Sequence, residues 1–193
     1  NLGNKKVIQV SPVSFRLDGK EVLGRLEGMR GTKLEAKAIF ITYSIQHLED
    51  LLEVIAEAGI KTIDVVASPI ALSHVVLSDR QKIVGVALVS IGDQTTSLAI
   101  FENGLLISIK TFSIGSTDIT NDIALGLKIP LEVAERLKKG DEEESYPQRK
   151  LEEIIEARLI QLFFMSKSEL RKVDRDGMEP GGVVLVGVGA KLP

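Results

Sequence analysis

The feature that most constrains the fold is a nearly continuous apolar segment, residues 83–89, that runs directly into a polar turn containing Gly92. An apolar run without alternation is typical of a strand that is buried on both faces of a sheet. A second apolar segment, residues 183–186, ends in the same way, in a turn that contains Gly187 and Gly189. These segments favour an α/β fold, in which ligands gather at the carboxyl ends of the strands.

The residues around these two segments predict a three-stranded meander followed by helices. Strands at residues 97–101 and 105–114 flank Asn103-Gly104, a dipeptide that strongly favours a tight hairpin turn. Apolar spacing then predicts three helices, at residues 118–127, 131–138 and 149–172. One face of the last helix carries Leu151, Ile154, Ile155, Leu159, Leu162 and Phe163. We expect Arg158, amid that face, to pair with nearby Glu residues or to extend to solvent.

The first 80 residues predict a small α+β unit. Strand patterns at residues 7–10 and 15–22 contain an Asp18-Gly19 turn, which predicts a hairpin. Further elements are a strand at residues 34–40, a helix at 48–56 that ends at Gly59, and a short buried strand at 63–66. Ser68 as an N-cap, followed by Pro69, predicts the start of a helix that continues to about Leu77.

Composition excludes several classes of function. The 193 residues include 24 basic and 27 acidic residues, so the net charge of −3 gives no field that would attract nucleic acid. The chain has no cysteine, which excludes disulfides and fits a reducing compartment such as the cytoplasm. The longest uncharged run, residues 65–78, is shorter than the roughly 20 apolar residues of a membrane span. His47 and His74 have no further ligand at suitable spacing, so we predict no metal site.

Glycine turns after buried strands can bind phosphate because, without a Cβ atom, their backbone N–H groups can approach a ligand closely. Two such turns at one edge of a sheet therefore predict a nucleotide cleft. The alternative is that each is an ordinary strand-to-helix turn, which is the commoner structure for either turn alone. Ser90, Ser97 and Ser113 lie outside any nucleophile-elbow context, so no catalytic residue is predicted.

Residues 86–101 resemble the second phosphate motif of the actin-like ATPases, and they are most similar to that of the bacterial cell-division FtsA family. Further similar segments occur in the family's order, at residues 28–36, 119–127, 134–138, 152–158 and 182–185. The resemblance implies an actin-like (ribonuclease H-like) second lobe at residues 81–193, carrying half of a nucleotide cleft. It implies that residues 1–80 are the family's extra subdomain, which contacts the neighbouring subunit in a filament, and that residues 140–148 are a shortened loop.

The resemblance also implies which residues would contact a nucleotide. They are Gly92, Thr95, Thr96, Gly115, Glu135, Lys138, Gly187 and Gly189. ATP and Mg²⁺ would be the ligands of an intact protein, which would be at most a weak ATPase, and we expect no cofactor in this fragment. For Glu135 and Lys138 the alternative is a solvated ion pair between residues three apart on one helix face.

Three departures from the family pattern weaken the implied nucleotide site. Ser90 stands where the family has an Asp that helps to hold the metal, and Asp93 adds a carboxylate where phosphate oxygens would lie. Val188 stands where the family has a Gly. The family's first phosphate hairpin and its C-terminal amphipathic membrane helix have no counterpart here. Because the first residue is also not Met, the sequence is interpreted as a fragment.

The resemblance implies a cytoplasmic scaffold at the inner face of the membrane at the division site. It would self-associate into filaments and link the tubulin-like division protein FtsZ to the membrane, which it would contact only through the C-terminal helix. Two alternatives stay open: an interaction adaptor that has lost nucleotide binding, and an assembly protein similar to the type IV pilus component PilM. The segments at residues 28–36 and 119–127 favour the FtsA family.

Overall fold

The computed structural model describes residues 3–22, 26–140, 146–175, 177 and 179–191. These residues form two sheets and the helices that pack on them. The strands are β1 (Lys5–Leu17), β2 (Lys20–Val22), β3 (Leu34–Ser44), β4 (Val86–Ile91), β5 (Thr96–Glu102), β6 (Leu105–Phe112) and β7 (Val183–Val186). The helices are α1 (Ile45–Glu57), α2 (Ser68–Val76), α3 (Asp79–Val84), α4 (Ser116–Leu127), α5 (Leu131–Lys138) and α6 (Gln148–Lys172). A 3₁₀ turn at Val188–Lys191 follows β7.

The first sheet has the strand order β2-β1-β3 and contains the predicted hairpin. Asp18 and Gly19 both have positive φ, 51° and 80°, as a two-residue type I′ turn requires. The Thr32 hydroxyl donates to the Asp18 carboxylate at 2.7 Å, and the backbone N–H groups of Lys33 and Thr32 also donate to it. These hydrogen bonds, that of the Thr32 side chain first, lower the pKa of Asp18 below its usual value. The turn is therefore stabilised by the loop that follows it.

Strand β1 is one long strand, whereas the sequence predicts separate strands at residues 7–10 and 15–17. It pairs with β3 along its whole length, from Lys5 opposite Ser44 to Leu17 opposite Leu34. The register shifts twice, between Val7 and Gln9 and again around Pro12. Irregularities of this kind interrupt the alternation of side chains, which is why the local pattern divides the strand in two.

The predicted strand at residues 63–66 is wrong. None of these residues belongs to a strand of either sheet in the described part of the chain. Ile63 is 94% exposed. A strand is defined by its hydrogen bonds to a neighbour, and an apolar pattern alone does not supply one. The helix after this segment begins at Ser68 with Ala67, not Ser68, as its N-cap.

The start of the central strand was also predicted too early. Ile83 and Val84 form the end of helix α3, and β4 begins at Val86. The helix is held by a capping box: the Ser78 side chain accepts from the Gln81 N–H, and the Gln81 side chain accepts from the Ser78 N–H at 2.9 Å. Gly85, with φ of 105°, then separates the helix from the strand. Local capping thus outweighs the apolar character of Ile83 and Val84.

The second sheet has the strand order β6-β5-β4-β7, so the predicted three-stranded meander is confirmed. Strand β4 is antiparallel to β5 and parallel to β7. Val86 and Leu88 pack into one core cluster, and Ala87 and Val89 pack into another on the opposite face of the sheet. The apolar run is continuous because residues 86–89 are buried on both faces of the sheet.

Helix α6 packs through Leu151 and Leu162, as the helical spacing predicts, and also through Leu170, which the prediction did not include. Phe163 is an exception, because its side chain is exposed although the sequence places it on the packed face. Arg158 neither extends to solvent nor pairs with a Glu of its own helix. Instead it forms two hydrogen bonds with the carboxylate of Asp122 on α4, at 2.6 and 2.8 Å. That carboxylate raises the pKa of Arg158 and joins the two helices.

Apolar contacts also join the two sheets, since Ile41 of β3 packs in the same core cluster as Val86 and Leu88. The division of the chain into residues 1–80 and 81–193 stays a prediction. Residues 141–145 of the predicted loop at 140–148 lie outside the described residues. Within the described ranges, no helix is both long enough and apolar enough to span a bilayer.

Candidate functional site

The two predicted glycine turns meet at one residue, Ile91, at the carboxyl end of β4. Because β4 and β7 are parallel neighbours, with Ser90 opposite Val186, their ends lie side by side. A Cβ atom on Gly187 would overlap the Ile91 carbonyl oxygen, and one on Gly189 would overlap the Ile91 side chain. Both glycines are thus required for close packing of the second turn on the end of β4.

The first turn is closed by its own backbone. The Gly92 N–H donates to the Thr95 carbonyl at 2.8 Å, and a Cβ atom on Gly92 would lie only 2.9 Å from that carbonyl oxygen. Thr95 is exposed, whereas Thr96 is fully buried at the start of β5. Among the described residues, the Thr96 hydroxyl oxygen has no hydrogen-bond partner. This hydroxyl is the one buried side-chain polar group among the predicted site residues that has no hydrogen-bond partner.

The first turn of helix α4 docks on the glycine turn. The Ser116 N–H donates to the Gly92 carbonyl at 2.9 Å, and the Thr117 N–H donates to the Asp93 carbonyl at 2.8 Å. The Thr117 hydroxyl donates to the Asp93 carboxylate at 2.7 Å. A Cβ atom on Gly115 would overlap the Asp93 backbone, so the helix can approach this closely only with glycine there. The backbone donors at the start of α4 are therefore used within the protein.

Lys138 lies at the centre of a buried polar network between α4 and α5. Its ammonium donates to the Glu135 carboxylate at 2.6 Å, to the Thr120 hydroxyl at 2.7 Å and to the Ser116 hydroxyl at 2.8 Å. The Lys138 side chain is 5% exposed. All three ammonium protons thus have acceptors. The alternative of a solvated ion pair is wrong for Lys138, because its ammonium is buried and donates to two hydroxyl groups as well as to Glu135.

The hydrogen bonds of this network change the acidity of Glu135. Burial opposes the ionisation of Glu135, but hydrogen bonds from Lys138 and Thr120 outweigh it and lower the pKa of Glu135 from 4.5 to about 2. Lys139 also pairs with this carboxylate, at 3.2 Å. Glu135 therefore stays ionised at any pH near neutrality.

This shift predicts a pH dependence of stability. Because the folded-state pKa lies below the unfolded one, ionised Glu135 stabilises the fold above about pH 4.5, and the contribution disappears as the pH falls towards 2. Glu135 is 38% exposed, so solvent screening limits the effect to about 1–2 kcal/mol. Urea unfolding should show Glu135→Gln less stable than wild type at pH 6, with the gap closing towards pH 2.5. Glu132→Gln, on the exposed side of α5, is the control, and a gap for Glu135→Gln that is independent of pH would contradict the assignment.

The eight predicted site residues therefore form one connected corner. Ser116 links the Gly92 turn to Lys138, and Ile91 links that turn to Gly187 and Gly189. The sequence reasoning missed Ser116, Thr117, Asp118 and Thr120. Signals were available for three of them. Ser116 and Thr120 are four residues apart on one helix face. Asp118 is three residues after Gly115, and its carboxylate accepts a hydrogen bond from the Gly115 N–H at 2.8 Å.

A nucleoside triphosphate with Mg²⁺ does not fit the residues present here. Each of these glycines packs closely on other atoms of the protein, as the overlaps of an added Cβ atom show. The glycines therefore leave no open space for a phosphate group at those positions. Lys138 is the only cation among the predicted site residues, and its protons are already used. The Asp93 carboxylate adds negative charge at the turn. The assignment of these residues as nucleotide contacts in an intact protein stays a prediction.

Two other clefts lie away from this corner. One, of about 390 Å³, lies between the first sheet and the end of α6 and includes Lys37 and Arg175. The other, of about 430 Å³, lies beside α2 and includes Ile8 and His74. Neither includes a predicted site residue. In the described part of the chain, no group of three or more His, Cys, Asp or Glu side chains is arranged to hold a metal ion.

Comparison with known protein families identifies the family of this chain. The family model described as Cell division protein FtsA matches residues 87–187, which is more than half of the chain. The chain belongs to the FtsA family. The matched range begins in β4 and ends at Gly187, so it contains the first glycine turn, the first residue of the second turn and the network around Lys138. The family resemblance inferred from the sequence motifs is thus confirmed.

Individual FtsA relatives match along nearly the whole chain. Cell division protein FtsA of Bacillus subtilis (strain 168) is 32% identical over 209 aligned positions, covering 97% of this chain and 47% of that protein. The FtsA protein of Pseudomonas aeruginosa is 28% identical, covering 98% of this chain and 51% of that protein. The chain therefore spans about half the length of the curated FtsA relatives that it matches.

Solved structures show that this FtsA-family chain has the actin-like fold. The structure described as the PilM–PilN type IV pilus biogenesis complex matches with a TM-score of 0.73 at 17% identity, covering 98% of this chain and 51% of that one. MreB5 of Spiroplasma citri bound to ADP matches with a TM-score of 0.64 at 16% identity, covering 78% of this chain and 56% of that one. At these identities the likeness shows the fold alone. The predicted α/β actin-like fold is confirmed.

Proposed function

We propose that this chain is part of a cell-division scaffold of the FtsA type, which assembles into filaments and links a tubulin-like FtsZ protein to the membrane at the division site. The observation that carries the proposal is the corner at Ile91, where both glycine turns and α4 pack on the end of β4. Its polar groups satisfy one another almost completely, which suits a rigid joint between elements better than a site that turns over substrate. Membership of the FtsA family supports the cell-division role.

Nucleotide affinity is expected to be low in this chain. ATP would meet the Asp93 carboxylate, and it could recruit Lys138 only by breaking buried hydrogen bonds. Isothermal titration of the 193-residue chain with ATP and Mg²⁺ should therefore give a dissociation constant of about 1 mM or more. This value corresponds to a binding free energy weaker than about −4 kcal/mol. ADP and GTP serve as controls for nonspecific heat. Micromolar affinity for ATP would contradict this expectation.

A second candidate function is an interaction adaptor that has lost nucleotide binding altogether. The hydrogen bonds of Lys138 favour this function, because its ammonium already donates to Glu135, Ser116 and Thr120 and has no proton left for a ligand. Titrating the longer, intact protein with a fluorescent ATP analogue and Mg²⁺ separates the two functions. Saturable binding there supports the nucleotide-dependent scaffold, and no binding supports the adaptor.

The scaffold proposal also predicts self-association through the first sheet. Strand β3 is an edge strand of that sheet, and such an edge can pair with another chain unless charges protect it. Lys37 is exposed on β3, and Lys33 is exposed directly before the strand, where it pairs with Glu35 at 2.7 Å. We expect weak association in sedimentation velocity that decreases as salt rises and that decreases about threefold or more in Lys33→Glu/Lys37→Glu.

A variant with the same change in charge elsewhere provides the control for this experiment. Lys61→Glu/Lys110→Glu reverses two exposed lysines that lie outside β3. It should associate as wild type does, and circular dichroism should show every variant folded. A monomer at all concentrations and salts, for this chain and for the longer protein, would rule out the assembly role.

A further inference from the structure

The outward face of helix α6 carries an apolar centre that the core does not use. Ile160 is 60% exposed and Phe164 is 66% exposed. The buried residues of α6 are Leu151, Leu162, Ser166 and Leu170, on the opposite side of the helix. Ile160 and Phe164 lie four residues apart and are therefore neighbours on the surface. They form a solvent-facing apolar pair on a 25-residue helix whose inner face is already packed.

The residues in line with this pair follow the spacing of a helix-pairing seam. The seam consists of Glu153, Ala157, Ile160, Phe164, Lys167 and Arg171, separated by alternating steps of four and three residues. All six are exposed. Alternating steps of four and three residues are the spacing that keeps one face of a helix against a partner helix. We call these six residues the α6 seam.

The charges of the α6 seam are arranged with opposite signs at its two ends. Glu153 lies at one end and Arg171 at the other, about 27 Å apart at 1.5 Å per residue. Positions 153 and 171 are equally far from Leu162, and so are positions 160 and 164. An antiparallel copy of the helix, related by a two-fold axis that crosses the exposed face at the level of position 162, would therefore place Glu153 opposite Arg171 and Ile160 opposite Phe164. Each of these contacts would occur twice, as in any two-fold interface.

Glu153 and Arg171 both already interact with other groups of the chain, and these interactions do not remove the complementarity because both side chains are exposed. Glu153 pairs with Arg149 within the helix at 3.0 Å, but their side chains are 61% and 92% exposed. Exposed pairs of this kind contribute a few tenths of a kcal/mol, so Glu153 can accept a second cation at little cost. A parallel arrangement, in contrast, would place Glu153 beside Glu153 and Arg171 beside Arg171.

We propose that α6 is a docking surface for a second copy of this chain, with the two α6 seams packed antiparallel about a two-fold axis at the level of position 162. The surface is distinct from the β3 edge and does not depend on the proposed function. One helix face on each side buries less than a standard protein–protein interface, so the dimer is weak. Charge at the two ends sets the direction of pairing, and the apolar centre supplies most of the affinity.

The first test separates this surface from others. Sedimentation equilibrium is carried out in the Lys33→Glu/Lys37→Glu background, so that association through β3 does not contribute. Phe164→Glu should weaken dimerisation by about tenfold or more, because it places two buried charges at the centre of the seam. Val75→Glu is the control, because Val75 is an apolar residue on α2 that is also exposed, at 84%, and it should have no effect. A monomer in the parent protein, or equal effects of both substitutions, would overturn the proposal.

The second test uses the symmetry of the charges. Glu153→Lys alone and Arg171→Glu alone should each weaken the homodimer by about threefold to tenfold, because each creates two like-charge contacts. An equimolar mixture of the two variants should dimerise at least as well as the parent, since both contacts are then between opposite charges. The double variant Glu153→Lys/Arg171→Glu should recover as well. Absence of recovery in the mixture and in the double variant would overturn the antiparallel arrangement, with circular dichroism confirming that all variants fold.

Discussion

Replacing Lys138 with methionine is expected to lower the free energy of unfolding by about 3 kcal/mol, one of the two largest effects that we predict for a single substitution. Methionine nearly preserves the volume but removes the charge and the three hydrogen bonds to Glu135, Ser116 and Thr120. Removing one member of a buried ionic network costs more than the network contributes, because its partners keep their desolvation penalty. Urea unfolding followed by circular dichroism measures the loss.

Lys139→Met is the matched control for this substitution. Lys139 is the next residue, pairs with the same Glu135 carboxylate at 3.2 Å and is 68% exposed. We expect its replacement to cost about 0.5 kcal/mol or less, as for most exposed ion pairs. Equal losses at positions 138 and 139 would mean that the burial of Lys138 is not what makes its network important.

Gly187→Ala is expected to destabilise the protein by a similar amount, about 3 kcal/mol. Gly187 has φ of 96°, a conformation that costs an alanine about 1–2 kcal/mol, and the added methyl group would overlap the carbonyl oxygen of Ile91. Because that neighbour is backbone of the central strand, it can move only by displacing the end of β4, and such overpacking costs about 1–3 kcal/mol more. Thermal and urea unfolding both report this loss.

Gly182→Ala separates the two causes. Gly182 also has a positive φ, of 76°, but a Cβ atom there would meet nothing within 4 Å. Its replacement should cost only the conformational part, about 1 kcal/mol. If the two variants are equally destabilised, close packing against Ile91 is not the reason for glycine at position 187.

Elements with strong local signals were predictable from the sequence. The hairpin at Asp18-Gly19, the meander from β4 to β6 and the long helix α6 all correspond to patterns that are complete within a few residues. The glycine turns were also identified, because an apolar strand followed by a glycine is itself a local pattern. Their convergence on Ile91 follows from the parallel pairing of β4 with β7, which the predicted α/β class implies.

Other features depended on partners that are distant in the sequence. Residues 63–66 carry a strand pattern, but no neighbouring strand pairs with them within the described ranges. Ile83 and Val84 have the composition of a strand, yet the capping box at Ser78 makes them the end of a helix. Arg158 pairs with Asp122, 36 residues away, rather than with a Glu of its own helix.

By itself the sequence determined the meander from β4 to β6, the burial of β4, the actin-like relationship and the positions of the glycine turns, because each of these depends on side-chain periodicity or on contiguous motifs. Only the tertiary structure decided what the predicted site residues do. Glu135 and Lys138 are three residues apart in any helix, and only the packing of α4 against α5 determines whether they face water or a buried pair of hydroxyl groups. Burial of a charge depends on all the elements around it, and a local sequence pattern contains only one of them.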